Sequence, residues 1–290
     1  MSGTGESFIV GLIGEGIDAS LTPPMHEREA AHHGLPYIYR PIDLTRLGRP
    51  GSDVGQLLRW GRDLGFNAFN VTHPCKQLVL AELDEVSDDA ARLGAVNTVL
   101  IRDGRFIGHN TDFSGFRGAL AEGLPEAALN SVVQLGAGGA GAAVAYALLA
   151  AGTRNLTLLD LDPERAAERA AALAGLFPDR HVTAGTPEGL PTALAAADGL
   201  VHATPVGMHS HPGTAVDPAL LDPAQWVADV VYRPVDTELI RGARARGCRV
   251  LDGGRMAVGQ AVDAFALITG VRPDPARMYA HFLELIAQGR

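Results

Sequence analysis

The sequence predicts an α/β protein of two domains, with a doubly wound parallel sheet in the second. Short apolar runs alternate with helical patterns along most of the 290 residues, which is typical of sheets covered by helices. One such run, Val132–Leu135, leads directly into a glycine-rich turn and an alanine-rich helix. Because 47% of the residues are hydrophobic, the chain can bury sizeable cores in both domains.

The first domain is expected to begin with the strand Phe8–Ile13, which is short, apolar and followed by glycines. Tyr37–Ile42 predicts a second strand, and Asp53–Leu64 predicts a helix with its apolar residues on one side. Asp103-Gly104 is a hairpin signal between two further strands. We assign residues 1–123 to this domain.

The segment Gly65–Lys76 is interpreted as a strand that ends in a turn with one lysine, since Pro74 has no N–H with which to continue a ladder. Asp112 follows the end of a later strand, Arg105–Ile107. Neighbouring strands of one parallel unit end at the same edge, so we expect Lys76 and Asp112 to lie at one cleft. Such a pair can move a proton to or from a substrate hydroxyl. It can equally be a structural salt bridge, and the spacing does not decide between the two.

Two hydroxyl groups, those of Ser20 and Thr22, precede the prolines Pro23 and Pro24, which can open a helix. They can donate to a carboxylate that lies near the helix N-terminus. They can also be ordinary N-cap residues, which this segment alone favours.

The glycine-rich turn Gly136-Ala-Gly138-Gly139-Ala140-Gly141 has the context that a G-x-G-x-x-G motif requires, a strand before it and a helix after it. Without side chains, backbone N–H groups can approach a pyrophosphate. The next strand, Asn155–Leu159, ends at Asp160, at the spacing expected of an acid that binds ribose. These features predict a Rossmann-type dinucleotide-binding domain over residues 124–253, and the helices of 254–290 then complete the first domain.

Asp160 also predicts which dinucleotide binds. A carboxylate accepts hydrogen bonds from the free ribose hydroxyls of NAD and repels the 2′-phosphate of NADP. Arg165, five residues later, can accept a phosphate, but beside Asp160 we expect it to pack on the adenosine or to pair with the acid. The prediction is NAD.

Composition argues against several other classes. A formal charge of −9 is unsuited to nucleic acid, and no apolar run reaches the roughly 18 residues that span a bilayer. Cys75 and Cys248 indicate reduced cytoplasmic thiols, and the N-terminus shows no secretory signal. His209 and His211 lack an adjacent cluster of acids or cysteines, so we expect a solvated loop and no metal.

Six segments together resemble the shikimate dehydrogenase family over nearly the whole chain, and most closely its NAD-using quinate/shikimate dehydrogenase branch. The segments are Ser20–His26, Asn70–Lys76, Gly94–Thr98, Gly108–Asp112, Gly136–Gly141 and Gln260–Phe265. Several matches in one order are more specific than any single motif.

The resemblance implies roles for individual residues, with Lys76 and Asp112 as the catalytic pair. Ser20 and Thr22 would hold a substrate carboxylate. The other implied substrate-binding residues are Asn70, Thr72, Asn97, Tyr232 and Gln260. The implied cofactor-binding residues are Gly136, Gly138, Gly139, Ala140, Gly141, Asp160, Arg165, Thr204, Pro205, Val206, Val230, Gly253 and Met256.

Three positions depart from the biosynthetic, NADP-using members. Asp160-Leu161-Asp162 stands where they have a basic stretch, Thr22 where they have Ser, and His202 where Asn is usual. The first two favour the quinate-using branch. The resemblance therefore implies NAD-dependent oxidation of quinate or shikimate to the 3-dehydro ketone by a cytoplasmic monomer or homodimer.

The alternatives are a biosynthetic NADP-dependent shikimate dehydrogenase and an aminoshikimate dehydrogenase. A non-catalytic NAD-sensing regulator would need a broken Lys–Asp pair, and both residues are present.

Overall fold

The computed structural model describes residues 7–289, which divide into two compact units. One unit is Met1–Thr111 with Gln260–Arg290, as far as these residues are described, and the other is Asp112–Gly259. The division falls inside two helices, so the domain limits given from the sequence stay a prediction. Residues 1–6, on which the expected lack of a secretory signal rests, lie outside the described part.

The strands of the described chain are β1 Phe8–Gly14, β2 Tyr37–Asp43, β3 Ala68–Val71, β4 Glu85–Val86, β5 Thr98–Arg102, β6 Arg105–His109, β7 Ser131–Leu135, β8 Asn155–Leu159, β9 His181–Gly185, β10 Gly199–His202, β11 Trp226–Asp229 and β12 Arg249–Leu251. The α-helices are α1 Thr22–His32, α2 Leu44–Leu47, α3 Val54–Asp63, α4 Cys75–Leu78, α5 Asp88–Leu93, α6 Thr111–Gly123, α7 Gly139–Ala150, α8 Pro163–Leu176, α9 Leu190–Leu194, α10 Glu238–Ala245, α11 Gly253–Thr269 and α12 Pro275–Ala287. Among them is no helix both long and apolar enough to cross a membrane.

The sheet of the first unit has the order β2-β1-β3-β5-β6-β4. Strand β5 is antiparallel to both of its neighbours, and the other pairs are parallel. The expectation that one parallel unit carries Lys76 and Asp112 was therefore wrong in detail, because the Asp103-Gly104 hairpin reverses the chain. Since β3 and β6 are each antiparallel to β5, they still run in the same direction and end at the same edge.

Alternate residues of this sheet enter two cores, one on each face. Ile13, Phe69 and Val99 belong to one core, and Val10 and Leu100 belong to the other. This alternation follows from the two-residue period of a strand. Both faces are covered at the centre of the sheet, so β1 and β3 are buried almost throughout.

The sheet of the second unit is wholly parallel, with the order β12-β11-β10-β7-β8-β9. Counted in sequence from β7, this is the order 3-2-1-4-5-6 of a doubly wound sheet, so the predicted Rossmann-type fold is confirmed. The order reverses between β7 and β10. Ligands of such sheets bind outside the carboxyl ends of the strands at this reversal.

Two elements of the first unit are very short. Lys76 lies in the single turn α4, which is followed by a 3₁₀ turn at Val79–Glu82. The strand β4 was not expected, because its two residues are defined only by pairing with β6.

Candidate active site

Lys76 lies in α4, directly after β3, and Asp112 lies in the first turn of α6, directly after β6. The turn that carries Lys76 is anchored to the sheet on both sides. Thr72 N–H donates to the Ile13 carbonyl at 2.9 Å, and Glu15 N–H donates to the His73 carbonyl at 3.0 Å. The carbonyl of Lys76 itself accepts from Val96 N–H at 2.8 Å.

Cys75, beside Lys76, is fully buried, and its thiol donates to the carbonyl of Gly51. Burial, together with the charge of Glu15, raises the pKa of this thiol to about 11. The thiol is therefore protonated at neutral pH and holds the turn in place, while the neighbouring lysine is only half-buried.

A buried network of hydroxyl and amide groups lies at the same edge of the first sheet. Tyr39 Oη donates to Asn70 Oδ1 at 2.6 Å, and Asn70 Nδ2 donates to Thr98 Oγ1 at 2.9 Å. Thr98 Oγ1 in turn donates to Asn97 Oδ1, which also accepts from the backbone N–H of Thr111 at 2.8 Å. The network holds two predicted substrate-binding residues, Asn70 and Asn97, in one orientation each.

Tyr39, Thr98 and Thr111 were not among the predicted site residues. Thr111 has a sequence signal, because it lies inside the Gly108–Asp112 motif. Tyr39 has none, since its hydroxyl reaches Asn70 only because β1 pairs with β2 on one side and with β3 on the other.

Ser20 and Thr22 lie at the start of α1, but neither is its N-cap. The N-cap residue is Leu21, which makes no side-chain cap bond, and Ser20 Oγ accepts from the Thr22 N–H at 3.3 Å. Both side chains are half-buried, as is Gln260 on α11 in the same unit. Ser20 and Thr22 therefore do not have the ordinary N-cap role that the sequence of this segment favoured.

The glycine-rich turn of the second unit closes against the loop that follows β10. Gly136 has φ +96°, and a Cβ there would lie 2.5 Å from the carbonyl oxygen of Ala203. A Cβ on Gly141 would lie 2.2 Å from the Gly136 carbonyl oxygen. Both positions exclude a side chain, and together they bring α7 close to the end of β7.

Gln134, on β7, holds this turn and was not predicted from the sequence. Its Nε2 donates to the carbonyl oxygens of Gly136 and Gly141, both at 2.8 Å. A polar residue inside an otherwise apolar strand was the available signal, but it does not show which groups the side chain contacts.

Asp160 lies at the end of β8 and is almost fully buried. Its carboxylate accepts from the backbone N–H groups of Ala137 and Asp162, at 2.7 and 2.9 Å, and from the guanidinium of Arg165. Burial alone would raise the pKa of Asp160, but the bonds from Arg165, Asp162 and Ala137 outweigh it and hold the pKa below its ordinary value. Of the two positions expected for Arg165, the structure shows the pair with the acid.

The remaining cofactor candidates follow the carboxyl ends of β10, β11 and β12. Thr204, Pro205 and Val206 form the loop after β10, and Val230 N–H donates to the His202 carbonyl at 2.9 Å. A Cβ on Gly253, at the start of α11, would lie 2.4 Å from the Val231 carbonyl oxygen. Met256 is buried one turn further along α11, and Tyr232 is exposed after β11.

These residues fit a dinucleotide. Gly138 is the N-cap of α7 and Gly139 its first residue, and a Cβ at either position would meet no atom within 4 Å. Backbone N–H groups at the positive end of this helix are thus open to a pyrophosphate. Ala140 follows in the same turn. By contrast, residues 7–289 contain no group of three His, Cys, Asp or Glu side chains that could hold a metal ion, and His211 instead contacts Ser210.

Comparison with known proteins finds relatives of one family. Residues 12–99 match the model of the shikimate dehydrogenase substrate binding domain. The chain is 67% identical, over 99% of its length and 98% of the relative's, to a protein of Pseudarthrobacter chlorophenolicus named shikimate dehydrogenase (NADP(+)). It is 53% identical to a Corynebacterium efficiens protein named quinate/shikimate dehydrogenase (NAD(+)), covering 97% of this chain and 99% of that one.

Among solved structures, the quinate dehydrogenase of Corynebacterium glutamicum in complex with NAD superposes with a TM-score of 0.93. It is 50% identical, and the match covers 97% of this chain and 100% of that one.

Proposed function

We propose that this chain, which belongs to the shikimate dehydrogenase family, is a nicotinamide-dependent dehydrogenase that oxidises a ring hydroxyl of quinate or shikimate to the 3-dehydro ketone and uses NAD. The observation that carries the choice of NAD is the ionised Asp160 at the ribose-binding end of β8. A cytoplasmic monomer or homodimer remains part of the proposal.

The proposed chemistry needs one proton acceptor and one hydride acceptor. The bound dinucleotide supplies the hydride acceptor. Lys76 Nζ takes the proton of the reacting hydroxyl, and Asp112 orients the lysine. Ser20 and Thr22 hold the substrate carboxylate, while Thr72, Asn97 and Gln260 bind ring hydroxyls, with Asn70 and Tyr232 nearby. The buried network from Tyr39 to Thr111 supports these roles, because it holds Asn97 in place.

The cofactor-binding side of the proposal uses the second unit alone. Gly136–Gly141 receive the pyrophosphate, and Asp160 accepts hydrogen bonds from the ribose hydroxyls. Thr204, Pro205, Val206, Val230, Gly253 and Met256 flank the nicotinamide. Because Asp160 is ionised and buried, a 2′-phosphate placed beside it would be repelled.

The second candidate is an NADP-dependent shikimate dehydrogenase that reduces the ketone. The name of the 67% identical relative favours it. Arg165 offers the physical basis, since its half-exposed guanidinium can leave Asp160 for a phosphate. Initial rates with quinate and with shikimate, each with NAD and with NADP, separate the candidates. NAD-linked turnover of both substrates supports our proposal, whereas NADP-linked turnover of shikimate alone contradicts it.

The variant Asp160→Ala tests the residue that carries the choice. Losing a charged acceptor should lower the NAD-to-NADP ratio of kcat/KM by about tenfold or more, since such a bond contributes about 1.5–3 kcal/mol. The matched control is Asp162→Asn, which removes a charge from the same segment and retains an N-cap for α8. An unchanged ratio in Asp160→Ala would show that Asp160 does not select the cofactor.

A further inference from the structure

The side chains of Asp229, His202 and Thr204, at the carboxyl ends of β10 and β11, are joined in a chain of hydrogen bonds. We call this chain the relay. His202 and Asp229 are register partners of these parallel strands, so their side chains lie on one face of the sheet. His202 Nδ1 lies 2.9 Å from Asp229 Oδ1, and His202 Nε2 lies 2.5 Å from Thr204 Oγ1. Both His202 and Asp229 are almost fully buried, while Thr204 is half-buried.

The contacts of Asp229 determine which imidazole nitrogen carries the proton. Asp229 accepts from the Val231 N–H at 3.0 Å and from Thr237 Oγ1 at 2.7 Å, so its carboxylate acts as an acceptor throughout. His202 must therefore donate to it from Nδ1. In the neutral imidazole, Nε2 is then an acceptor.

With the imidazole in this neutral form, the hydroxyl of Thr204 directs its single proton at His202 Nε2. Its oxygen also accepts from the Val206 N–H at 3.3 Å. Any further partner of this oxygen has to be a hydrogen-bond donor, because the hydroxyl has no second proton to give. Thr204 lies in the loop that closes against Gly136 of the glycine-rich turn, where a Cβ on Gly136 would lie 3.0 Å from Thr204 Cγ2.

We propose that His202, held by Asp229, is a positioning residue that makes the Thr204 hydroxyl an acceptor only, and that this hydroxyl selects the carboxamide N–H₂ of the nicotinamide. The proposal rests on the proposed dinucleotide function. The same relay ties the loop to α10, because Thr237 is the N-cap of that helix and donates to Asp229 at the same time.

The test is the affinity of the free enzyme for cofactor analogues, measured by titration calorimetry in the absence of substrate. The 3-acetylpyridine analogue of NAD has a methyl group in place of the N–H₂, whereas the thionicotinamide analogue retains the N–H₂ and is the control. We expect wild-type protein to bind NAD and the thionicotinamide analogue similarly. It should bind the acetylpyridine analogue about 3- to 10-fold more weakly, the effect of one neutral hydrogen bond.

Two variants separate the role of the Thr204 hydroxyl from the role of His202. Thr204→Val removes the hydroxyl, and His202→Asn places an amide nitrogen near the position of Nδ1 while leaving no acceptor for Thr204. In Thr204→Val the preference for NAD should vanish. In His202→Asn the preference for NAD over the acetylpyridine analogue should also become small. The reason is that the Thr204 hydroxyl, freed from His202, can donate to the acetyl oxygen. Thr204→Ser should retain the wild-type preference, and its folding is the least affected of the three.

A preference that survives in Thr204→Val shows that the hydroxyl does not face the carboxamide and overturns the inference. A preference lost in Thr204→Val but intact in His202→Asn shows that His202 is merely structural, and it also overturns the inference. The inference is also overturned if wild-type protein binds NAD and the acetylpyridine analogue with equal affinity. Failure of wild-type protein to bind any of the dinucleotides would instead overturn the proposed function itself.

Discussion

Gln134 ties the first turn of α7 to the end of β7, because its side-chain amide donates to the carbonyl oxygen of Gly141 at 2.8 Å while it also donates to that of Gly136. The two carbonyl oxygens are thereby bound by the same amide nitrogen and held close together. The shape of the glycine-rich turn thus depends on a side chain that lies beneath the turn.

We expect Gln134→Leu, which has a similar volume, to weaken NAD binding by about tenfold. Two buried carbonyl groups lose their donor, each at a cost of about 1 kcal/mol or more, and the turn can then relax. Calorimetric Kd values check this. The matched control is Gln225→Leu, because Gln225 Nε2 likewise donates to two backbone carbonyl groups, those of Leu194 and Ala197, away from the turn. A similar loss of affinity in both variants would mean that only general stability had changed.

Lys76 is the only lysine among the 290 residues, since every other basic side chain counted with it is arginine. We expect Lys76→Ala to lower kcat by about 100-fold or more, the usual contribution of a positioned proton acceptor, with the Kd for NAD unchanged. Lys76→Arg keeps the charge but cannot give up its proton, so it should be nearly as slow. A Lys76→Arg enzyme of near wild-type kcat would contradict the proton-transfer role.

The same uniqueness permits a chemical test. An amine-selective acylating reagent can modify only Lys76 and the N-terminal amine, so peptide mass analysis reports on a single side chain. We expect quinate and NAD together to slow its modification, because they would cover the amine. Equal rates of labelling with and without these ligands would place Lys76 away from the substrate.

His26 is fully buried among Tyr37, Tyr39 and Phe265, and burial lowers its pKa to about 3. Between the unfolded value of 6.5 and this lowered value, only the unfolded chain binds the extra proton. The free energy of unfolding therefore contains the full contribution of the neutral histidine above pH 6.5. As the pH falls below 6.5, it decreases by up to about 1.4 kcal/mol per pH unit.

Denaturant unfolding of His26→Phe between pH 7 and pH 4 should accordingly show a shallower loss of stability than wild type, although the variant loses the contact with the Tyr37 hydroxyl. The exposed His209, changed to Gln, is the control for the removal of an imidazole that is not buried. Parallel curves for wild type and His26→Phe would show that His26 titrates normally.

Glu29 joins α1 to α12 through Arg277. Its buried carboxylate accepts from the Arg277 guanidinium, from the Asp274 N–H at 2.8 Å and from His33. Burial alone would raise the pKa of Glu29, but the bonds from Arg277, Asp274 and His33 lower it below the ordinary 4.5. Its stabilisation is therefore complete above pH 4.5 and is lost as the pH falls through the lowered value.

We expect Glu29→Gln to reduce the free energy of unfolding by about 2 kcal/mol at pH 7 and by less at pH 3, measured by chemical denaturation. The exposed pair Arg28–Glu284 joins the same two helices, so Glu284→Gln is the control and should cost less than about 1 kcal/mol. Equal losses in the two variants would assign no special role to the buried acid.

Much of the second unit was predictable because its signals are local. A strand, a turn of glycines and a helix follow one another along the chain, and Asp160 lies at a regular distance after them. The family was recognised for the same reason, since its motifs are short and keep their order. The first sheet was harder, because the place of β5 beside β3, and its antiparallel direction there, depend on pairing between strands that are distant in sequence.

By itself, the sequence determined the α/β class, the doubly wound second unit, the family and the candidate residues, since periodicity, glycine placement and motif spacing are properties of neighbouring residues. Only the tertiary structure decided that Tyr39 supports Asn70, that Gln134 holds the glycine-rich turn and that His202 contacts both Asp229 and Thr204. Each of these contacts joins a side chain to a group on another strand or turn. Their partners are chosen by strand register and burial, because a buried polar group must find whichever donor or acceptor the fold brings within reach.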